Sequence, residues 1–356
     1  MTKIITLFLI IVNSFVLTCF AEINTDNDND SRKVYLNNIA EYLAGIKGGN
    51  SDHINLMDEL WSKYKYDNLD KLHAWQEKEI EHTYPKSCHV FYPFSGPDIV
   101  HVLSFFPSCT KYTMIGLEPV GNINNLDISK INLEALRTGL YSLLKKSFFV
   151  TREMWTDFKL HNRGVTLPLI ALVKRMGYEI VEVNPIYLDK EGNIINVIQG
   201  HNNGIKFTIK APDNEEFKEI YYFRASVANN NDTIINYLEN QTDIITYLKA
   251  AQYALFSAEF SKLRNHILKK SQIILQDDSG IPYKYFNNSN WQVNLYGKYS
   301  GPYGESFKGY IQPDLSNHLK NVKFETLPFS LGYGYKKTTT FLMKMVKKQH
   351  NTISDL

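Results

Sequence analysis

The chain has 356 residues, with 39 Lys or Arg against 37 Asp or Glu, so its formal net charge at neutral pH is +2. A balance this close to zero excludes a broad electrostatic attraction to nucleic acid. The length and the 44% content of hydrophobic residues predict a globular protein with a large core, arranged as one big domain or two smaller ones.

Residues 1–21 have the three-part pattern of a cleavable secretory signal peptide. One lysine precedes an apolar stretch at 4–17, and the small residues Cys19 and Ala21 stand three and one positions before a cleavage point after Ala21. The alternative is an uncleaved N-terminal anchor, although two polar residues interrupt the apolar stretch. We expect export to the periplasm or beyond the cell. Cleavage would leave 335 residues, 38 of them basic and 37 acidic.

The segment at 22–85 is predicted to be helical and to pack on the main domain. Its first residues, 22–32, are rich in Asn and Asp and predict a disordered lead-in. From Ser31 to Pro85 apolar residues recur at helical spacing, and the pair Gly48-Gly49 interrupts them. We therefore expect two or three helices.

The segment at 88–121 predicts one strand–helix–strand unit. A short apolar run from His89 to Phe94 is typical of a buried strand, and Ile99 to Phe106 forms an apolar helical run that stops before Pro107. A second strand is predicted from Tyr112 to Leu117. Two strands joined by a helical crossover are expected to be parallel.

The two cysteines that remain after signal cleavage, Cys88 and Cys109, flank this unit. The helix of the unit runs back towards the start of the first strand, so both cysteines are placed at the same edge of the sheet. In an oxidising compartment we expect them to form a disulfide. Two free buried thiols are the alternative.

The remainder predicts an α/β fold of the Rossmann-like, three-layer kind with a mixed sheet, spanning residues 86–335. Helices are expected at 131–147 and 164–176, and strands at 178–188, 194–198, 206–210 and 220–227. Residues 232–275 are predicted to be helical with a break near Asn240, and short strands at best follow Ser279. Residues 336–356 form a basic tail, expected as a docked helix or a frayed end, with contact to an anionic membrane as the alternative.

A first candidate site combines Ser95, Gly96 and Asp98, after the first strand, with Glu118, after the second. This run, PFSGPD followed by YTMIGLEP, resembles the first motif of Rossmann methyltransferases. The resemblance implies that the loop holds adenosylmethionine and that Glu118 binds the ribose hydroxyls. The run has one glycine only, and Pro97 lacks an N–H group. In the structural alternative Ser95 caps the helix and Asp98 completes an arrangement similar to a capping box.

A second candidate site comprises Asp277, Asp278, Ser279 and Tyr283, which follow a predicted helix. Adjacent carboxylates in a turn can hold a cation or act as acid and base. The alternative is a helix stop in which the Asp side chains bond nearby backbone groups. Because acids after a helix C-terminus are unfavourable, a partner such as Lys284, Arg264 or a ligand is expected.

A third candidate is the aromatic segment from Tyr283 to Tyr310, whose rings suit a glycan or peptide surface or, alternatively, a layer packed on the core. The sequence contains no HExxH motif and no cluster of Cys and His, so no structural zinc is expected. No G-x-S-x-G elbow is present. The sequence leaves the identity of any cofactor open.

Several segments together resemble an uncharacterised family of exported bacterial proteins: FYPFSGPD, GLEPVG, QDDSGIPY, Trp291–Gly297 and LPFSLGYG. The resemblance covers about residues 85–335 and implies export and one continuous domain, but no activity. Our first hypothesis is an envelope or secreted protein that binds a glycan, a peptide or a small molecule on a methyltransferase-like scaffold that has lost its cofactor chemistry. The alternative is an exported hydrolase that uses Asp277 or Asp278 with Ser95 or Asp98.

Overall fold

A computed structural model describes residues 30–121, 123, 126, 128–146, 164–197, 202–212, 215–286, 289–302, 305–321, 324–331 and 341–348. The predicted signal peptide therefore lies outside the described residues. Nine α-helices occur in these ranges: α1 (30–43), α2 (Ser51–Tyr64), α3 (Asp70–Glu79), α4 (Ile99–Phe105), α5 (Leu133–Lys146), α6 (Thr166–Arg175), α7 (Thr233–Glu239), α8 (Ser261–Lys270) and α9 (Pro313–Asn321).

The same ranges contain ten strands: β1 (His89–Tyr92), β2 (Lys111–Gly116), β3 (Glu179–Leu188), β4 (Ile194–Asn196), β5 (Gly204–Lys210), β6 (Phe217–Arg224), β7 (Ile244–Leu248), β8 (Ile273–Gln276), β9 (Trp291–Gly297) and β10 (Phe341–Lys347). They form one sheet in the order β4-β3-β5-β6-β2-β1-β7-β8-β10-β9. The five central strands, from β6 to β8, are parallel, and antiparallel strands extend the sheet at both sides.

The sheet is covered by helices on both faces. Alternate residues of a strand enter opposite cores: Val90 and Tyr92 of β1 pack with apolar residues of α1 to α6, whereas Phe91 packs with α7, α8 and α9. Both cores are continuous and buried. The predicted three-layer α/β fold with a mixed sheet is therefore confirmed.

The predicted strand–helix–strand unit is present. Strands β1 and β2 are parallel neighbours, with His89 opposite Lys111, and α4 connects them. Cys88 and Cys109 form the predicted disulfide, with their Cα atoms 4.5 Å apart. Their flanking residues are also bonded, because Thr110 N–H and Lys111 N–H donate to the Cys88 carbonyl oxygen. The disulfide therefore fixes the starts of the two strands relative to each other.

The expected N-terminal helices are present as α1, α2 and α3, and Asn50 caps α2 by accepting a hydrogen bond from His53 N–H at 2.7 Å. The hairpin of β3 and β4 and the strands β5 and β6 also lie close to their predicted positions. Of the predicted disordered lead-in, residues 30–32 already belong to α1 and the remainder lies outside the described residues.

Two predictions about secondary structure are wrong. Residues 232–275 are not helical with one break, because they contain the buried strands β7 and β8 as well as α7 and α8. The predicted tail is not a terminal helix, because its apolar residues form β10, which lies between β8 and β9. Short apolar runs are buried on both faces in such strands, so they show no alternation that distinguishes them from helix.

Replacement of both cysteines by alanine is expected to lower the free energy of unfolding by roughly 3 kcal/mol, since the closed loop spans a sequence separation of 21 residues. Urea unfolding without reductant measures the difference. Reductant should lower the stability of the natural chain to that of the double variant and leave the variant unchanged. Equal stabilities in the absence of reductant would contradict the prediction.

His89, at the start of β1, generates a prediction about pH. Burial, and then the charge of Lys111, lower its pKa to about 3. The folded state therefore favours the neutral imidazole, so the stability from this group is complete above about pH 6.5 and is lost as the pH falls towards 3. Between pH 6.5 and 4.5 the natural chain should lose stability more steeply than His89→Gln, by up to about 1.4 kcal/mol per pH unit.

Urea unfolding at a series of pH values measures these slopes. Replacement of the exposed His82 by Gln serves as the control and should leave the slope unchanged. Identical slopes for the natural chain and His89→Gln would show that His89 does not titrate in this way.

Candidate functional site

A cavity of about 330 Å³ opens at the carboxyl ends of β1, β2, β6 and β7. We call it the switch cavity, because the chain leaves β1 towards β2 on one side and returns to β7 on the other. In open α/β sheets this topological switch point is where ligands bind. Its lining residues are Tyr92, Phe94, Ser95, Gly96, Asp98, Ile115, Gly116, Leu117, Glu118, Ala225, Ser226, Val227, Lys249, Ala250, Ala251, Gln252, Ala254 and Phe260.

The loop after β1 forms one wall of the switch cavity. Ser95 binds the Ile115 carbonyl oxygen of β2 through both its backbone N–H, at 2.8 Å, and its Oγ, at 3.0 Å. Ser95 is therefore not the helix cap that the structural alternative expected. Asp98 is the N-cap of α4 and accepts from His101 N–H at 3.4 Å. Pro97 thus precedes the helix, and the hydroxyl of Ser95 positions the loop on the neighbouring strand.

Asp98 also forms the centre of a buried polar network. Its Oδ2 accepts hydrogen bonds from Lys249 Nζ at 3.0 Å and from Tyr92 Oη at 3.2 Å. Its Oδ1 lies 2.6 Å from His101 Nδ1, and His101 Nε2 lies 2.9 Å from Tyr64 Oη on α2. The side chains of Asp98 and Lys249 are only 4% and 1% exposed, so their ion pair is removed from solvent.

The protonation states in this network follow from burial and charge. Burial alone would raise the pKa of Asp98, but the charges and hydrogen bonds of His101 and Lys249 hold that pKa below its ordinary value. Burial lowers the pKa of His101, although the Asp98 carboxylate opposes this change. At neutral pH His101 is therefore neutral, donating from Nδ1 to Asp98 and accepting from Tyr64. The negative charge of Asp98 is balanced by Lys249.

Glu118 lies at the opposite wall of the switch cavity, two residues after β2. Its side chain is buried, and Oε2 accepts from Leu117 N–H and from Tyr222 Oη, each at 3.1 Å. Gly116 makes this position possible, because a Cβ there would lie 2.3 Å from Tyr222 Oη and 2.5 Å from Glu118 Oε2. No hydrogen bond from the described residues reaches the other carboxylate oxygen, which can accept one from a ligand.

The loop after β7 forms the third wall. Ala250, Gln252 and Tyr253 have φ values of +53°, +53° and +58°, in the left-handed region that non-glycine residues rarely adopt. Phe94, in the loop after β1, has a φ of +63°. Such residues persist where the surrounding structure holds them, and they are frequent at binding sites.

The second candidate site lies behind this wall rather than in the cavity. Asp277 and Asp278 follow strand β8, so the prediction that they follow a helix is wrong. Asp277 Oδ2 accepts from Ala250 N–H at 2.8 Å, and Ser279 Oγ accepts from Ala251 N–H at 2.8 Å. Asp278 Oδ2 accepts from Tyr253 Oη at 2.8 Å.

These carboxylates therefore hold the loop after β7, and neither they nor Ser279 and Tyr283 line the switch cavity. Burial raises the pKa of Asp277, whereas its hydrogen bonds from Ala250 and Ser279 act in the opposite direction. Arg264 was expected as a partner of these carboxylates, but it donates instead to the carbonyl oxygens of Leu255 and Ser257. The hydrolase hypothesis stays a prediction.

The aromatic segment is divided between two environments. Tyr283, Phe286, Trp291 and Tyr296 are buried, as the packed-layer alternative expects. The ring of Tyr310 is stacked on that of Tyr253, with centroids 4.9 Å apart. This part of the aromatic segment thus packs against the loop after β7.

Sequence reasoning found Ser95, Gly96, Asp98 and Glu118 but missed Lys249. Lys249 falls in a segment predicted to be helical, and recognition of β7 as a strand would have placed it at the same edge as Asp98. Sequence reasoning also did not select His101, although its position three residues after Asp98 on a helix places the two side chains together.

Comparisons with other proteins do not assign the chain to a family. A scan against protein-family models gives no match, and neither the curated proteins nor the solved structures contain a significant similarity. Among the described residues, no group of three or more His, Cys, Asp or Glu side chains is placed to hold a metal ion. No helix in the described ranges is long and apolar enough to cross a membrane.

Replacement of Lys249 by Met is expected to cost about 3–5 kcal/mol of unfolding free energy, because it leaves the Asp98 carboxylate buried without its counter-ion. In the double variant with Asp98→Asn the cost of Lys249→Met should fall, and urea unfolding of the four proteins measures this coupling. The exposed pair Lys262–Asp232 is the control, where Lys262→Met should cost at most about 1 kcal/mol. A similar cost at both pairs would contradict the role of burial.

Proposed function

We propose that this chain is an exported binding protein whose ligand occupies the switch cavity. The observation that carries the proposal is the composition of this cavity at the switch point of the sheet. Apolar side chains, among them Ile115, Leu117, Val227 and Phe260, form much of its wall, and few polar groups face them. This combination is typical of sites for small molecules.

The order of the strands supports the part of the proposal that concerns the scaffold. From β6 to β9 the seven strands follow the order 3-2-1-4-5-7-6 when they are numbered along the chain. The last of them, β10, is antiparallel and lies between β8 and β9. Rossmann methyltransferases have this arrangement, so the sheet extends the resemblance noted in the loop at 93–98.

The same loop argues against adenosylmethionine as the ligand. Pro97 offers no N–H group, and the side chain of Asp98 is already engaged by Lys249 and His101. A protein outside the cytoplasm would also not normally meet this cofactor.

Glu118 indicates the class of ligand. Its free carboxylate oxygen can accept a hydrogen bond from a hydroxyl group, and a bond to a charged acceptor is stronger than one to a neutral group. The apolar walls suit a flat ring system. We therefore infer a neutral, hydroxylated molecule of the size of a nucleoside.

The test compares adenosine with adenosylmethionine on the purified, oxidised protein by isothermal titration calorimetry. Adenosine should bind with one site per chain, and adenosylmethionine should bind at least tenfold more weakly or not at all. Glu118→Gln should weaken the binding of adenosine by about tenfold, because the charged acceptor is lost. As the control, Glu179→Gln on β3 removes a carboxylate that pairs with Lys33 of α1 and should have no effect.

Tighter binding of adenosylmethionine than of adenosine would overturn the hypothesis that the scaffold has lost its cofactor chemistry. Absence of any adenosine binding would overturn the nucleoside-like ligand. An adenosine affinity that Glu118→Gln leaves unchanged would show that the ligand lies elsewhere.

A further inference from the structure

A second cavity, of about 360 Å³, lies at the opposite end of the parallel strands. We call it the basal pocket and define it by His89, Lys111, Phe217, Glu219, Asn240 and Gln241. The first four of these lie at or near the starts of β1, β2 and β6, and the last two follow α7. None of them lines the switch cavity.

His89 lines the basal pocket and has one side-chain nitrogen without a hydrogen-bond partner among the described residues. Its Nε2 lies 2.8 Å from Thr113 Oγ1, which lies 2.9 Å from Tyr237 Oη. Its Nδ1 is buried and has no hydrogen-bond partner in the described part of the chain. A buried polar atom without a partner is costly, and a bound ligand would supply the missing bond.

Lys111 contributes a positive charge that is in no direct ion pair among the described residues, while the Glu219 carboxylate acts on it from a longer distance. Its Nζ donates to Gln241 Oε1 at 2.7 Å and lies over the rings of Tyr221 and Tyr237, at 5.2 and 5.6 Å. Among the described residues it forms no salt bridge, whereas Glu219 is paired with Lys206. Burial lowers the pKa of Lys111. A ligand carboxylate would therefore gain a charge-assisted hydrogen bond here.

The remaining side chains suit a sugar ring. Phe217 is an aromatic residue that is 53% exposed at the margin of the pocket, where its ring can cover the apolar face of a saccharide. The amide of Asn240 offers donors and an acceptor for hydroxyl groups, and the Gln241 amide keeps one further N–H and one lone pair beside its bonds to Lys111 and to the Tyr237 carbonyl oxygen. Apolar lining is otherwise scarce, in contrast to the switch cavity.

Two features of the fold constrain the walls of the pocket. Ser87 and Asp243, at the pocket, have left-handed φ values of +67° and +49°. The disulfide joins the starts of β1 and β2 directly beneath His89 and Lys111. A site that is ordered in advance binds more tightly, because less conformational entropy is lost.

We propose that the basal pocket binds a carboxylated monosaccharide, with Lys111 on the carboxylate, His89 and the amides on hydroxyl groups, and Phe217 against the ring. This site is independent of the ligand proposed for the switch cavity. A glycan was one of the three ligand classes that the sequence suggested.

The test uses sodium D-glucuronate as the probe, with D-glucose and sodium acetate for comparison, in calorimetric titrations of the full, oxidised chain. Glucuronate should bind at one site and at least tenfold more tightly than either comparison compound. Lys111→Met should weaken glucuronate binding at least tenfold and leave glucose unaffected. Lys71→Met is the matched control, because Lys71 also lies over a tyrosine ring, that of Tyr66.

Phe217→Ala changes an exposed side chain and keeps the test decisive if Lys111→Met does not fold. It should weaken glucuronate and leave acetate unchanged. Glucuronate binding no tighter than that of acetate or glucose would overturn the proposal, as would full affinity in Lys111→Met. Glu118→Gln separates the two sites: it should leave glucuronate binding intact, and a loss there would place the sugar in the switch cavity and overturn the basal site.

Discussion

The buried ion pair between Asp98 and Lys249 is the interaction on which the site depends. It joins the loop after β1 to the end of β7, across the point where the order of the strands reverses. Removing two charges from water is costly, and only a complete set of partners offsets that cost. Asp98 has these partners in Lys249, His101 and Tyr92. Tyr64 belongs to α2 and forms a hydrogen bond with His101 at the edge of the network. This bond links α2 to the residues at the cavity wall.

Local patterns in the sequence were sufficient for the unit from β1 to β2. Its helix, its two strands, the disulfide and Glu118 all depend on residues within about 30 positions of one another. Strands β7 and β8 could not be found in this way, because their runs IITYL and IILQ are buried on both faces and lack alternation. Lys249 was missed for the same reason. The choice of Asp98 over Ser95 as the helix cap depends on contacts with β2 and β7 that no local pattern contains.

Residues with strained backbone conformations occur at both ends of the sheet. Of the six described non-glycine residues with left-handed φ values, Phe94, Ala250 and Gln252 line the switch cavity, whereas Ser87 and Asp243 line the basal pocket. Each such residue costs free energy that the rest of the fold must offset. They are concentrated in the loops that enter and leave β1 and β7, so the strained backbone lies at the two cavities, one at each end of the central strands.

The disulfide connects the expectation of export with the geometry of both surfaces. It lies at the start of β1 and β2, and the pairing of His89 with Lys111 fixes the register that places Tyr92 opposite Met114 at their far ends. A slip of one residue would turn every side chain of a strand to the other face of the sheet. It would carry His89 and Lys111 out of the basal pocket and would move the loops of Ser95 and Glu118 relative to each other. The disulfide is therefore part of what holds these residues in place.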